Sequence, residues 1–235
     1  MRKENSEEFK KIYVGFKKIC QINNLCSNTY YEFRICSVFK GNNSPFSEIK
    51  KIKTCFDSII LNKIPKENEY ISKLLEWTGS KSLELLYRGT RDGSKPKNFH
   101  DLCDNKGPTI TLFKNERGNI FGGYASISWE NSGKYKSAPD SFIFTLTNIH
   151  NTNPTKFQRK INNQEIKHDS SYGPWFGSGR DIGIDEDFSN HEMYCNFPCT
   201  FMDTLDKGRS IFTGDINNDN KYFNIKEIEV FKINK

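Results

Sequence analysis

The chain has 235 residues, room for one large domain or two small ones, and 35% of them are hydrophobic, which excludes a disordered chain. Aromatic content of 14%, with 19 Phe and 10 Tyr, favours β-structure, because rings fit a pleated, half-buried surface. The net charge of +6 is entirely N-terminal: residues 1–54 carry eleven Lys/Arg against five Asp/Glu and the remainder is balanced, so no basic-aromatic cluster for tracking phosphates is evident and nucleic acid is not an expected partner.

The opening MRKENSEEFKK lacks the apolar core of a signal peptide, and no apolar run reaches membrane-span length. A cytoplasmic protein without membrane insertion is expected. Cys20, Cys26, Cys36, Cys55, Cys103, Cys195 and Cys199 form an odd set with no small-scaffold framework, which points to reduced thiols.

From Tyr13 to Thr54 the pattern is strands and turns. TYYEFRICSVF alternates, with Tyr31, Phe33 and Ile35 on one face; KGNNSPF is a turn cluster; and the spaced lysines of SEIKKIKT mark an edge strand. Leu25-x-Ser27-x-Thr29-x-Tyr31-x-Phe33-x-Ile35 resembles the entry into the penultimate strand of a fibronectin type III domain, with Tyr31 at the tyrosine corner and Ser27 where that family usually has proline. About half of such a sandwich is present, so residues 1–54 are read as a partial fibronectin-like segment and 55–235 as a second domain.

The second unit begins at CFDSIILNK. NEYISKLLEWTG predicts a helix with Tyr70, Leu74 and Trp77 at helical spacing and Gly79 as its stop. LELLYRG reads as a strand. KPKNFHDLCD reads as a short helix with proline in its first turn and Phe99, Leu102 and Cys103 on the inward stripe. TITLF, the turn NERGN with Gly118 at positive φ, and NIFGGYASISWE predict a hairpin. In its second strand Ala125, Ile127 and Trp129 take the core face, and Gly122 and Gly123 mark a close approach by backbone or a ring. SFIFTLT and FNIKEIEVF are further strands.

Chemistry-bearing candidates are few. His100, Cys103, His191, Cys195 and Cys199 match no zinc spacing, so no metal or cofactor is expected. A nucleophilic pair of Cys103 with either His100 or His191 is formally available, but a thiol on an apolar stripe is inert. Glu130 is a third catalytic candidate. In YRGTRDG, Arg88, Arg91 and Asp92 around Gly89 and Gly93 form either an anion site or a braced turn. Gly177 and Gly179 lie in SSYGPWFGSGRDIGID, which has neither the strand-and-helix context of a dinucleotide loop nor the Gly-Lys-Ser/Thr of a P-loop, and read as backbone-approach and turn positions.

LLYRGTRDG, FHDLCDNKGPTITL, IFGGYASISWE, YKSAPDSFIFTL, SYGPWFGSGRDIGI and FNIKEIEVFK occur in that order between 85 and 232. Together they make residues 55 to about 232 resemble a TLDc domain, the module of the oxidation-resistance proteins. The resemblance implies a mostly β fold with α elements (α+β), an antiparallel two-sheet β-sandwich with short flanking helices. It also implies protection from oxidative stress and, for several members, binding to the peripheral sector of the vacuolar proton pump. No reaction is established for the family. The expected role is a protein-interaction module using Arg88, Arg91, Asp92, Trp129 and Glu130; the alternative is an enzyme or thiol antioxidant built on His100, Cys103 and Glu130.

Overall fold

The protein is described here by a computed structural model covering residues 1–17, 19–22, 25, 29–54, 56–160, 164–184, 192–217 and 219–235. The chain divides into Met1–Asp57 and Ser58–Lys235.

In the first unit β1 (Arg2–Lys3), β2 (Tyr30–Phe33) and β5 (Lys50–Lys53) form an antiparallel sheet with β2 in the middle, and β3 (Val38–Phe39) pairs with β4 (Asn42–Asn43). Lys40 and Gly41, both at positive φ, turn the chain between β3 and β4 as a two-residue hairpin requires. The strand expected through Ile35 stops at Phe33. Beyond it the Ile35 amide donates to the Ser47 hydroxyl instead of a ladder carbonyl, and Ile35 is 76% exposed while Tyr31 is buried. Ser27 of the fibronectin-like pattern lies outside the described residues.

The second unit is mostly β with few helices, and its sheet is antiparallel throughout. α1 (Glu67–Thr78) carries Glu67 and Glu69 in its first turn, where they complement the helix dipole, and ends at Gly79 in the left-handed conformation. Its Tyr70, Ile71 and Leu74 are buried, and Trp77 packs against Phe142 and Phe144. There follow β6 (Ser82–Arg88), α2 (Gly89–Asp92), α3 (Pro96–Cys103), β7 (Thr109–Asn115), β8 (Ile120–Ala125), β9 (Lys134–Lys136), β10 (Phe142–Thr147) and β11 (Thr155–Gln158). The remainder is β12 (Ile166–His168), β13 (Trp175–Phe176), β14 (Ile182–Ile184), β15 (Glu192–Tyr194), α4 (Ser210–Thr213) and β16 (Tyr222–Asn234).

The strand order is β11-β10-β8-β7-β16-β15-β14-β13-β12-β9, with β6 also paired to β16. β16 is the junction: its start pairs with β15, while its later part lies between β7 and β6. One buried, aromatic-rich core cluster includes Trp129, Phe176, Phe197 and Phe212.

β8 is flanked by β7 and β10 and is buried at all six positions. A Cβ on Gly122 would overlap the Thr111 carbonyl oxygen, and one on Gly123 would come within 2.6 Å of the Phe176 ring. Bare backbone is therefore what lets β7 and β13 close on this strand. The alternation expected through Trp129 ends at Ala125, because β8 has both faces covered and then leaves the ladder. In α3 the inward stripe is also corrected: Phe99, His100 and Cys103 are buried, whereas Leu102 is 36% exposed. At 100° per residue an eight-residue helix buries one narrow face, and His100 occupies the place assigned to Leu102.

Candidate functional site

The YRGTRDG segment carries β6 into the short turn α2, and two carboxylates of β16 hold it there. Glu229, 0% exposed, accepts from Arg88 Nε at 2.7 Å, the Ser58 hydroxyl at 2.5 Å and the Ile59 amide at 2.9 Å. Glu227 accepts from the Thr90 hydroxyl at 2.5 Å and the Thr90 amide at 3.2 Å. The Arg88 amide donates to Asp92, and Arg91 grips the same carboxylate through Nε and Nη2, both at 2.8 Å. The Arg91 side chain holds the Asp92 carboxyl below the usual carboxylate range, with the Arg88 amide helping and partial burial opposing. Arg88, Arg91 and Asp92 thus form a braced corner with Gly89 buried at its apex and Gly93 closing it at φ 107°.

Around α3 the structure brings the remaining candidates together without making them reactive. Cys103 is wholly buried, and burial pushes its thiol far above its ordinary range. His100 Nδ1 meets Asp104 at 2.8 Å, and its Nε2 meets the carbonyls of Asp169 and Tyr172 at 3.2 and 3.1 Å. Both ring nitrogens are thus engaged by groups of the fold itself. Trp129, 0% exposed, donates its indole N–H to Thr109 and packs against Phe99, His168 and Phe176. It is an internal hub rather than a surface group.

Glu130 is one-third exposed and paired with Lys136 at 2.6 Å; Lys136 and then Ser132 hold its carboxyl below the ordinary value. The cavity beside Phe99 and Tyr87 is about 10 Å³, at or below the space one water needs. Among the described residues no group of three or more His, Cys, Asp or Glu converges as a metal site; His191 lies outside them. Cys195 is buried with its thiol pushed up to about 12 by burial, and Cys199 is exposed. The close approaches at Gly177 and Gly179 belong to the same loop region: a Cβ there would collide with the Asp181 carboxylate and the Cys199 thiol. Asp181, 0% exposed, accepts from the amides of Cys199, Thr200 and Phe201. Burial nevertheless raises its pKa, against those amides.

Sequence reasoning passed over His168 and the His150–Ser210 pair. His168 is 0% exposed, takes the Glu130 amide on Nδ1 at 3.1 Å and has no hydrogen-bond partner for Nε2. Alternation in IKH, with Lys167 outward, was the available signal. His150 Nε2 lies 2.8 Å from Ser210 Oγ, but that hydroxyl donates to the Lys207 carbonyl at 2.5 Å, so histidine donates to serine and does not activate it.

No helix among the described residues is long and apolar enough to cross a membrane. Residues 55–234 match the model of the TLDc domain. The chain is 30% identical over 77 residues, 33% of its length and 17% of the relative's, to the MTOR-associated protein MEAK7 of Danio rerio. It is 42% identical over 59 residues, 25% of its length and 13% of the relative's, to the Interferon-induced protein 44 of Homo sapiens. Each match spans under a fifth of the relative.

Proposed function

Since the chain belongs to the TLDc domain family, we propose that it is a non-enzymatic protein-interaction module. On this reading it serves oxidative-stress resistance in the cytoplasm by docking on the peripheral sector of the vacuolar proton pump. Its β wings act as a sandwich scaffold, and the fibronectin-like first unit adds a second contact surface. One observation carries the proposal: Arg88, Thr90 and His100 of the family motifs are turned inward to hold the fold. Arg88 is spent on Glu229, Thr90 on Glu227, and His100 on Asp104 and two carbonyls. A side chain so committed is poorly placed to attack, transfer a proton or release a product.

The name of the Danio rerio relative describes association with another protein, which agrees in kind with this reading. The test is co-purification of the full chain with the pump's peripheral subunits. Enrichment over a charge-matched control is expected, and none would overturn the pump assignment. Thiol titration of the native protein separates the antioxidant alternative: a cysteine reacting faster than free thiol near neutral pH would revive it.

A further inference from the structure

The first unit carries a short loop that is fixed at its base and bare at its tip. At the base the Met1 ammonium donates to the Lys10 carbonyl at 3.0 Å, and the Lys10 amide donates back to the Met1 carbonyl at 2.8 Å. The Phe9 ring lies under the guanidinium groups of Arg2 and Arg34, at 4.5 and 4.0 Å. Beyond this anchor Tyr13 folds its side chain over Gly15, where a Cβ would come within 2.5 Å of the phenol oxygen, and that oxygen accepts the Lys17 amide at 3.0 Å. Glycine at position 15 is therefore what lets the loop close on its own tyrosine.

With Tyr13 used for closure, the other apolar side chains of the loop stay in solvent. Every residue from Lys10 to Lys17 is exposed; Phe16 is 107% exposed, Val14 71%, and Ile19 just beyond 84%. Lys10 and Lys11 stand before these side chains and Lys17 after Phe16. Among the described residues none of the three ammonium groups enters an ion pair or lies over a ring. From Phe9 to Tyr31 the sequence has four lysines and no Asp or Glu. Glu7 and Glu8 come before the Phe9 anchor in the chain, and Glu4 is already held by Lys51.

Beyond the protein contacts proposed above, we propose that this loop docks the protein on an anionic lipid surface, without spanning it. Val14, Phe16 and Ile19 enter the boundary between headgroups and acyl chains, and the lysines reach back to the lipid phosphates and carboxylates. Each signal needs the other. A few apolar side chains alone hold a bilayer only weakly, whereas each lysine near an anionic surface strengthens attachment about fivefold. A protein partner would have to supply a fitted pocket for one protruding ring, but acyl chains close round any shape. Single-stranded nucleic acid is a poorer match. The Phe9 face is taken by Arg2 and Arg34 and Tyr13 is turned onto Gly15, which leaves Phe16 alone where successive bases need successive rings.

The test is co-sedimentation of the full chain with vesicles of phosphatidylcholine alone and of phosphatidylcholine with about 30% phosphatidylserine, beside binding to an oligothymidylate. Binding to the anionic vesicles is expected, at least about tenfold tighter than to the neutral ones. Phe16→Ala should weaken it about tenfold, and Lys11→Glu with Lys17→Glu at least about 25-fold. All three positions are exposed, so the melting temperature should not move. Phe39→Ala, which removes an exposed ring from the β3–β4 hairpin of the same unit, should leave binding unchanged. In Phe16→Trp the new indole should shift its emission to the blue on anionic vesicles, which reads entry into the acyl boundary and not charge attraction alone. No binding to anionic vesicles, equal binding to neutral ones, or preference for the oligonucleotide would each overturn the proposal. So would insensitivity to Phe16→Ala, an equal loss in Phe39→Ala, or an indole whose emission does not shift.

Discussion

Arg88 precedes Gly89 and Arg180 follows Gly179, yet the fold uses them differently. Arg88 is carried inward at the end of β6 to Glu229, whose carboxylate is itself fully buried, and the pair locks a corner of the unit. Arg180 stays at a half-exposed face and lies over the rings of Trp175 and Tyr194. One guanidinium is held by a buried carboxylate and the other lies over aromatic rings, so the two should differ in how much stability they carry. A buried carboxylate makes an arginine expensive to disturb, whereas a guanidinium stacked over aromatic rings contributes a smaller cation–π term.

The largest effect that tests this contrast is expected at the corner. Glu229→Ala removes the carboxylate that receives Arg88, the Ser58 hydroxyl and the Ile59 amide, and should cost about 3–5 kcal/mol, read from the denaturant midpoint of the full chain. A cost below about 1 kcal/mol would mean that the corner is not a brace and that Arg88 and Arg180 are alike. Next comes β8: Gly123→Ala drives a methyl into the Phe176 ring and should cost about 1–3 kcal/mol. Gly122→Ala should cost at least as much, since the Thr111 backbone that it meets cannot rotate away.

The corner was partly legible in the sequence and the stack at Arg180 was not. YRGTRDG places two arginines, an aspartate and two glycines within seven residues, so local reasoning reached both an ion pair and an anion site. It could not find Glu229, about 140 positions away, because only the β6–β16 register brings them together. The stack has no local signal at all. Trp175, Arg180 and Tyr194 come from separate strands and turns, each unremarkable alone. Helical spacing found α1, and strand alternation found β2, β7, β8, β10 and β16, because both depend on neighbours in sequence. They misplaced Leu102 and extended β8 too far because those positions are settled by what packs against them.

A smaller effect concerns pH. Burial lowers the pKa of His168, with Glu130 opposing; Lys136, Asp104 and His100 also act on it. The unfolded chain therefore binds a proton more readily than the native one, and this residue's contribution to stability falls as pH drops through about 6.5. His168→Asn retains an acceptor for the Glu130 amide and removes the ionisation, so the difference between wild-type and variant stability should change with pH by no more than about 1.4 kcal/mol per unit. A difference independent of pH between 5 and 8 would show that His168 does not titrate on unfolding.

The smallest stability effect, and the sharpest test of the contrast, is Arg180→Ala. The substitution removes a guanidinium from over Trp175 and Tyr194, a partly exposed interaction worth about 0.5–1 kcal/mol. For a domain of this size that moves the melting temperature by about 2–4 °C or less. Gly183 leaves space beneath the lost side chain, and the Trp175 indole keeps its hydrogen bond to the Gly177 carbonyl, so the sheet should not rearrange. If Arg180→Ala destabilised the chain as much as Glu229→Ala, the stack over Trp175 and Tyr194 would be a second structural brace equal to the corner. If stability is nearly unchanged, the corner at Glu229 braces the fold and the stack at Arg180 does not.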